Sequence, residues 1–408
     1  MNKRYVLATC ALITIVSCMI VVLTSERPQC PNYKSDNYQF PQMARGQILA
    51  ADKTVLAEDE PFWDIHLDPL ANGDRTNVWT DSRAASLIAD KLALDFNEVK
   101  SKFDSKGNRY VPIKKTRDAK EIATLKKYGL GLRLCIEKRI GRRNPLGRAA
   151  CHVTGFSMPS ERSSDLPVGA SEIELAADEM LQNGLCLETD IIPELQLGLY
   201  KLLSNAVSHT ECKSANAIIL EHRFEHILAL VNYPDFDPNE HKVATQDQLL
   251  NRCLKSLEHP GAMLRPLLNN PCITNDSRLV YNRLKHLGFG TRPNIHYWND
   301  VAVGRIPEPE HWTERYHDTV LKGGGFFTTT YHIAIAYARS AKESNPIPRA
   351  MSSCFYYDTD TGSFTNTVNI IEATANDKTL VLCLKNPASN FACRKYLSEL
   401  DVNALIAK

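Results

Sequence analysis

An apolar run near the amino terminus constrains the fold of this chain more than any other feature. After Lys3 and Arg4, the uncharged segment Tyr5–Leu23 has about the length that crosses a bilayer as one helix. We expect a basic cytoplasmic end at 1–4 and a single transmembrane helix at 5–23. Because no second run of that length follows, the rest of the chain is expected outside the cytoplasm, in a bacterium in the periplasm. A cleaved signal peptide, or lipoprotein processing at Cys18, is the alternative.

Charge and cysteine content exclude some classes of partner and cofactor. The 408 residues carry a formal net charge of +1, which gives no overall attraction to nucleic acid, so we expect no nucleic-acid partner. The chain has twelve cysteines but no Cys-x-x-Cys pair. We therefore expect neither a metal nor a cofactor. Outside the apolar run the thiols would face an oxidising compartment, and Cys383 with Cys393 is the weakly indicated disulfide.

A composition change near Gly184 divides the exported part in two. Prolines among polar residues at 24–44 indicate a linker that leaves the membrane. We expect a first domain at 45–184 and a second at 185–408. Both mix strand and helix patterns, so the expected fold class is α+β.

In the first domain, short apolar runs predict strands around a turn at Ala51–Lys53. Apolar residues spaced by three or four predict one amphipathic helix from Ser82 to Phe103, and Asp81 can cap it. Further strands are predicted at 109–115 and 133–138, with a helix at 119–129.

The second domain opens with a predicted helix over 188–207. Two β-rich runs follow at 215–222 and 226–234, and a mainly helical stretch continues to about Lys342. Three more strands are predicted at 352–357, 363–371 and 378–384, before a last helix at 388–400. The simplest assembly is one antiparallel sheet whose strands come from both ends of the domain and enclose the central helices.

Several motifs, in this order, resemble those of class B penicillin-binding proteins, the membrane-anchored transpeptidases that cross-link peptidoglycan. They are "ARGQILAADKTVLA" (44–57), "RRNPLGRAACHVTGF" (142–156), "GASEIELAADEMLQNG" (169–184), "LETDIIPELQ" (187–196), "HILALVNYPDFDPNE" (226–240) and "LGFG" (287–290). The resemblance implies a pedestal, or dimerisation-type, domain at 45–184, with Arg45, Gly46 and Glu174 at its motif positions. It also implies a shortened transpeptidase-like domain at 185–408.

The resemblance also locates where the chemistry of the family should lie. "PGAMLRP" aligns with its Pro-Gly-Ser-x-x-Lys-Pro segment, so Ala262 takes the position of the nucleophilic serine and Arg265 that of the lysine base. A methyl group cannot form an acyl-enzyme, and a guanidinium cannot become a neutral base. No catalytic residue is therefore expected, and losing the nucleophile alone costs on the order of 10⁶ in rate.

The other two catalytic motifs of the family are absent as well. Thr274 and Asn275 lie where Ser-x-Asn is expected, and Ser353 and Cys354 lie near the expected Lys-Thr-Gly. These residues mark a vestigial cleft that could still bind a peptidoglycan stem peptide, with Arg265 pairing with a carboxylate. A salt bridge of Arg265 inside a collapsed cleft is the alternative.

Two further patterns resemble functional motifs. His222, Glu225 and His226 match His-x-x-Glu-His, but they lie between two strand-like runs, which predicts a turn rather than a zinc-binding helix. The glycines at 323–325 lack the Lys and Ser/Thr of a phosphate loop and predict a turn.

The sequence thus favours a pseudoenzyme in the bacterial inner membrane. The resemblance implies that it acts as a scaffold or regulator of peptidoglycan synthesis or cell division, with the membrane, a glycan polymerase or division proteins as partners. Two alternatives remain: a residual transpeptidase or β-lactam-binding enzyme with a non-standard nucleophile such as Ser353 or Cys354, and a structural component of a specialised envelope machine.

Overall fold

The computed structural model describes most of the chain from residue 45 onward as two compact units. The described residues are 45–69, 80–105, 110–128, 134–159, 167–268, 274–293, 295, 297–298, 300–342, 350–358, 363–373, 378–387 and 405. One unit is Glu58–Arg143, and the other joins the residues up to Ala57 with those from Asn144 onward. Among the described residues no helix is long and apolar enough to cross a membrane. The predicted membrane helix at 5–23, the linker at 24–44 and the last helix at 388–400 lie outside the described residues.

The unit Glu58–Arg143 is a three-stranded antiparallel sheet covered by helices. Its central strand β2 pairs with β3 on one side and with β4 on the other. The apolar faces of the helices bury Ile88, Val99 and Leu125 against Ile65 of β2, which makes a core belonging to this unit alone. Its elements, with the short strand β1 that precedes it, are β1 (Ile48–Leu49), β2 (Val55–Leu67), α1 (Asp81–Leu92), α2 (Phe96–Phe103), β3 (Val111–Thr116), α3 (Ala119–Lys127) and β4 (Leu134–Arg143).

The prediction of one helix from Ser82 to Phe103 is wrong, because the chain forms two helices there. Ala93 adopts a left-handed conformation that ends α1, and the Asp95 side chain accepts a hydrogen bond from the Glu98 N–H at 2.8 Å, which starts α2. The cap of α1 is Thr80 rather than Asp81. The spacing of apolar residues continues across the break, so periodicity alone could not show it.

A second group of short elements lies at the start of the other unit. Strand β1 pairs in parallel with β7, and β5 pairs antiparallel with β6. The elements are a 3₁₀ helix (Gly147–Ala150), α4 (Cys151–Thr154), β5 (Ser157–Met158), β6 (Val168–Gly169), α5 (Glu172–Ala176), α6 (Asp178–Gln182) and β7 (Leu187–Glu188).

A five-stranded antiparallel sheet forms the centre of the same unit, and its order is β10-β11-β12-β8-β9. The prediction that strands from both ends of the domain build one sheet is confirmed. The remaining elements are α7 (Pro193–Thr210), β8 (Ser214–Glu221), β9 (Ile227–Tyr233), α8 (Gln246–Leu249), α9 (Arg252–Lys255), α10 (Leu264–Leu268), α11 (Ser277–His286), α12 (Glu314–Leu321), α13 (Thr330–Lys342), β10 (Ala350–Asp358), β11 (Ser363–Ala373) and β12 (Lys378–Lys385). Further 3₁₀ helices span Pro238–Val243, Gly261–Met263 and Pro309–His311.

Helices cover both faces of the sheet. Because side chains alternate along a strand, Ala217 and Ile219 of β8 face α7, whereas Ile218 and Leu220 face the core that contains α13. The helix predicted from residue 188 begins only at Pro193. Proline is favoured in the first turn of a helix, and the preceding Ile192 is extended, as the residue before a proline prefers.

The described cysteines are free thiols. Cys151, Cys212, Cys253 and Cys383 are buried, and Cys135 and Cys186 are half-buried. Cys383 is a free thiol inside the core, so the weakly indicated disulfide with Cys393, which lies outside the described residues, is not formed. These buried thiols fill space as small apolar side chains.

Candidate functional site

The segment that carries Ala262 is a tight turn fixed on one side by a glycine contact. Glu258 and Thr328 form a two-way backbone bridge, with both N–H to O distances at 2.8 Å. Three residues further on, the Gly261 N–H donates to the Gly323 carbonyl at 2.8 Å. Gly261–Met263 then forms a 3₁₀ helix that continues into α10.

Gly323 must be glycine for two reasons. Its φ is +85°, in the left-handed region, and a Cβ built on it would lie 1.7 Å from the Gly261 carbonyl oxygen. The glycine run at 323–325 is therefore a turn, as predicted, and it packs directly against the backbone that precedes Ala262.

A buried tyrosine holds the other side of the turn. The Tyr337 hydroxyl, on α13, donates to the Met263 carbonyl at 2.8 Å, and Tyr337 is 1% exposed. Leu264 and Leu267 of α10 are buried in the same core. The turn is thus held by a backbone contact on one side and by packing on the other.

Ala262 and Arg265 lie three residues apart and are neighbours along the start of α10. Ala262 is half-buried, and Arg265 is exposed. Across the described residues Arg265 has no hydrogen bond or ion pair, so no salt bridge closes this place. The 3₁₀ helix lies against the edge strand β10, which carries Ser353 and Cys354 in its backbone. The turn, the start of α10 and β10 thus bound a site that offers a methyl group and a guanidinium.

Thr274 and Asn275 precede α11 and lie beside a histidine that the sequence did not single out. The Thr274 carbonyl accepts a hydrogen bond from His317 Nε2 at 2.8 Å, and Nδ1 of the same ring lies 2.7 Å from the Ser277 hydroxyl oxygen. This is a hydroxyl, base and orienting acceptor in one chain of hydrogen bonds. Asn275 is exposed. The pair could not be recognised from sequence, because His317 lies on α12, far from Ser277 along the chain.

The predicted pedestal residues Arg45, Gly46 and Glu174 come together in a buried ion cluster. Arg45 is 1% exposed; its Nε donates to Glu174 Oε2 at 2.8 Å and its Nη1 to Asp178 Oδ1 at 2.6 Å. The Pro167 carbonyl and the Glu174 carbonyl accept from the same guanidinium at 3.0 and 2.9 Å. A buried charge is stable only when it is paired in this way.

Two further residues complete the geometry of this cluster. A Cβ on Gly46 would lie 2.0 Å from the Leu185 carbonyl oxygen, so the residue after Arg45 has room only for hydrogen. Asp178 was missed from the sequence: it opens α6, whereas Glu174 lies on α5, and only the fold brings both carboxylates to Arg45.

His152 and Cys151 form a buried pair whose chemistry is inert. The Gln248 carbonyl accepts from His152 Nε2 at 2.8 Å, so Nδ1 accepts from the Cys151 thiol, 3.2 Å away. Burial lowers the pKa of His152 to about 4 and raises the pKa of Cys151 to about 12. Both groups stay neutral near pH 7, so no thiolate forms.

The His-x-x-Glu-His segment forms a turn, as predicted, between β8 and β9. Glu225 pairs with Arg339, His226 Nδ1 lies 3.1 Å from Asp190 Oδ1, and His222 Nε2 lies 2.7 Å from Thr379 Oγ1. These three side chains therefore have separate partners. Within the described ranges no group of three or more His, Cys, Asp or Glu side chains is placed to hold a metal ion.

Comparison with known proteins shows which proteins this chain is similar to. Residues 42–183 match the model of the penicillin-binding protein dimerisation domain. The chain is 25% identical over 247 residues to the probable peptidoglycan D,D-transpeptidase PenA of Neisseria gonorrhoeae, and 24% identical over 250 residues to the peptidoglycan D,D-transpeptidase FtsI of Escherichia coli. Each alignment covers 55% of this chain and 42% of the relative, so the chain spans about two fifths of the length of these curated relatives.

Solved structures share the fold. A peptidoglycan synthetase from Bifidobacterium adolescentis superposes with a TM-score of 0.56 at 14% identity, over 86% of this chain and 92% of that one. Penicillin-binding protein 2X from Streptococcus thermophilus gives 0.56 at 14% identity, over 89% of this chain and 80% of that one. At this identity the likeness establishes the fold alone.

Proposed function

We propose that the chain is a catalytically inactive member of the class B penicillin-binding proteins, acting as a scaffold or regulator of peptidoglycan synthesis or cell division. Two findings support this: residues 42–183 match the penicillin-binding protein dimerisation domain, and the chain is homologous to class B penicillin-binding proteins. The observation that carries the proposal is the pair Ala262 and Arg265. They lie in a packed turn and helix start beside β10, and the motif resemblance assigns them to the positions of the family's serine and lysine. The turn is kept while its reactive groups are lost.

The proposed architecture has three parts. Residues 5–23 anchor the chain once in the bacterial inner membrane, 45–184 form the pedestal domain, and 185–408 form the transpeptidase-like domain in the periplasm. The buried cluster around Arg45 supports a scaffold role, since its paired charges keep the base of the pedestal rigid. A polytopic glycan polymerase or division proteins are the proposed partners of the pedestal and the anchor.

The exposed guanidinium of Arg265 suggests what the inactive cleft could still do. It is free to form one or two hydrogen bonds with a carboxylate, such as that of a peptidoglycan stem peptide. Binding without reaction would let the protein respond to its surroundings while transferring nothing.

The first test is labelling of the purified full-length chain with a fluorescent penicillin. We expect no label on wild type, whereas the double reversion Ala262→Ser with Arg265→Lys should label if the cleft still admits the β-lactam ring. A β-lactam-labelled wild type would overturn the inactive assignment. Copurification is the second test. If the solubilised protein copurifies with no wall-synthesis or division component, the scaffold role is contradicted.

One observation favours a second candidate, residual acyl transfer. Ser277 Oγ lies 2.7 Å from His317 Nδ1, and the Thr274 carbonyl holds the opposite ring nitrogen. In such a reaction Ser277 Oγ would attack the β-lactam carbonyl carbon and His317 would take the hydroxyl proton. That proton would pass to the departing ring nitrogen, leaving an ester on Ser277.

Mass spectrometry of the intact chain after β-lactam exposure separates the two candidates. An adduct that is lost in Ser277→Ala and kept in the neighbouring Asn275→Ala would identify Ser277. An adduct retained in Ser277→Ala would be mapped by peptide digestion, with Ser353 and Cys354 on β10 as the next candidates. The absence of any adduct leaves the scaffold proposal standing.

A further inference from the structure

A cavity of about 500 Å³ lies beside α13, and neither Ala262 nor Arg265 lines it. Its wall is formed by the turn between β8 and β9, by one side of α13 and by described residues between Gly288 and Trp298. This volume is within the range of pockets that hold small ligands.

The hydroxyl of Tyr331 is the polar group that makes this cavity unusual. The tyrosine is 3% exposed and lines the cavity, and within the described chain its hydroxyl makes no hydrogen bond and is not fully enclosed by protein. Buried polar groups are nearly always paired in folded proteins. Burial also raises the pKa of Tyr331, so the hydroxyl keeps its proton near pH 7 and can donate it to an acceptor. The Trp298 Nε1–H is not a second donor of this kind, because that nitrogen is enclosed and does not reach the cavity.

The other buried polar side chains of the described wall have partners of their own. Thr189 Oγ1 and Thr291 Oγ1 each donate to a backbone carbonyl, at 2.9 and 2.6 Å. His332 Nε2 donates to the Thr291 carbonyl at 3.0 Å, and its Nδ1 lies 2.7 Å from Thr329 Oγ1. Among the buried, described residues of the wall, Tyr331 is therefore left with a hydrogen bond to offer a ligand.

The charged side chains around the cavity already interact with other groups. Arg339 Nε and Nη2 donate to Glu225 Oε1 and Oε2 at 2.8 and 2.9 Å, and His226 lies 3.1 Å from Asp190. Arg292 also interacts with another group. An ion that left water for this space would lose its hydration without gaining a free counter-charge from the described wall. The electrostatics therefore favour an uncharged ligand.

The rest of the wall is largely apolar. The buried side chains of Ile173, Ile227 and Ile335 line the space, and Phe224 lies at its exposed side, where it is 62% exposed. Branched aliphatic and aromatic walls favour an apolar body of matching size.

We propose that this cavity binds an uncharged molecule with a compact apolar body and one oxygen that accepts a hydrogen bond from the Tyr331 hydroxyl. The body fills the space beside Ile227 and Ile335. The site is separate from the place of Ala262 and does not depend on the proposed function.

Acetophenone is the probe, because it joins an aromatic ring to a single carbonyl oxygen. Isothermal titration of the full-length chain would measure its binding, and we expect a Kd below about 1 mM, as its size allows. Benzoate has nearly the same shape but carries a charge, and it should bind at least about tenfold more weakly. Ethylbenzene keeps the ring and the side arm without the oxygen, and it serves as the reference for the hydrogen bond.

The variant Tyr331→Phe removes the hydroxyl and keeps the ring. Because acetophenone and ethylbenzene also differ in their affinity for water, the quantity to compare is the ratio of their two Kd values. The preference for acetophenone should fall at least about fivefold in Tyr331→Phe. Tyr128→Phe, at an exposed tyrosine of the unit Glu58–Arg143, is the matched control and should leave the ratio as in wild type.

A second variant locates the ligand in this cavity. Ile295→Trp enlarges a half-buried side chain of the wall and should weaken both acetophenone and ethylbenzene without changing their ratio. The proposal is overturned if acetophenone does not bind up to about tenfold above the expected Kd, or if benzoate binds as well as acetophenone. It is also overturned if the ratio is unchanged in Tyr331→Phe, or if Ile295→Trp leaves both affinities as they are in wild type.

Discussion

Gly261 and Gly323 meet backbone to backbone: the Gly261 N–H donates to the Gly323 carbonyl at 2.8 Å, and the Gly261 carbonyl leaves no room for a side chain on Gly323. This contact joins the turn of Ala262 to the end of α12. A turn held in this way keeps its shape whether or not its side chains react.

A methyl group at Gly323 is expected to test that contact. Gly323→Ala adds a Cβ at 1.7 Å from a backbone oxygen and forces alanine to a φ of +85°. Gly147→Ala is the control, because its φ is +50° but nothing lies within 4 Å of the new Cβ. We expect chemical denaturation to show a loss of about 1–2 kcal/mol for the control. Gly323→Ala should lose at least about 1 kcal/mol more; equal losses would contradict the close contact.

Truncation to alanine should lower the free energy of unfolding strongly at one arginine and hardly at all at another. Arg45→Ala leaves Glu174 as an uncompensated buried carboxylate and should cost about 3–5 kcal/mol of unfolding free energy. Arg265→Ala removes an exposed side chain without a partner and should change that free energy by less than about 0.5 kcal/mol. Urea denaturation of each variant, under the same conditions, measures both free energies of unfolding. A large loss at Arg265 would mean that it is a structural residue rather than a group free for a ligand.

Two buried tyrosines on α13 form a matched pair. Tyr337→Phe leaves the Met263 carbonyl without its donor and should cost about 1–2 kcal/mol, whereas Tyr331→Phe should stay within about 0.5 kcal/mol of wild type. The midpoints of thermal unfolding would rank them. Equal losses of stability in the two variants would mean that the Tyr331 hydroxyl also makes a stabilising hydrogen bond.

His152 should make the fold sensitive to mild acid. Because burial lowers its pKa to about 4 from 6.5, the unfolded chain takes up a proton in that interval and the folded chain does not. Its contribution to stability is complete above pH 6.5, declines as the pH falls toward 4 and is lost below it, by about 3 kcal/mol in total.

Glu172 acts in the opposite direction. Burial raises its pKa, so its contribution is present at low pH and declines as the pH rises through the folded value. It therefore cannot cause the loss on the acid side. Unfolding measured from pH 7 to pH 4 should show a flatter slope in His152→Gln, while His311→Gln, at an exposed histidine, should follow wild type. The same slope in all three chains would contradict the role of His152.

Part of the sheet could be predicted from the sequence, because β8, β9 and β12 are continuous apolar runs that are buried on both faces. Ile218 and Ile219 face different cores, so both had to be apolar, and the run was visible. The break between α1 and α2 was not visible, since Asp95 begins a new helix without disturbing the apolar spacing.

The site was harder to predict because its decisive contacts join distant segments. Ala262 and Arg265 were proposed from motif order, whereas the contact of Gly323 with Gly261 exists only in the folded chain. Tyr331 and Tyr337 look alike as apolar positions of one helix, and only the structure distinguishes the hydroxyl that has a partner from the one that does not.

The order of strands in the central sheet has a consequence for how the chain folds. His222, at the end of β8, bonds Thr379 of β12, which is 157 residues later in the chain. Until β12 has been synthesised, β8 has an unpaired edge and an uncovered apolar surface, a state that invites aggregation. Contacts between such distant segments also form slowly. A product truncated before Lys378 would lack β12, which would leave one edge of β8 unpaired and expose the apolar surface that β12 covers.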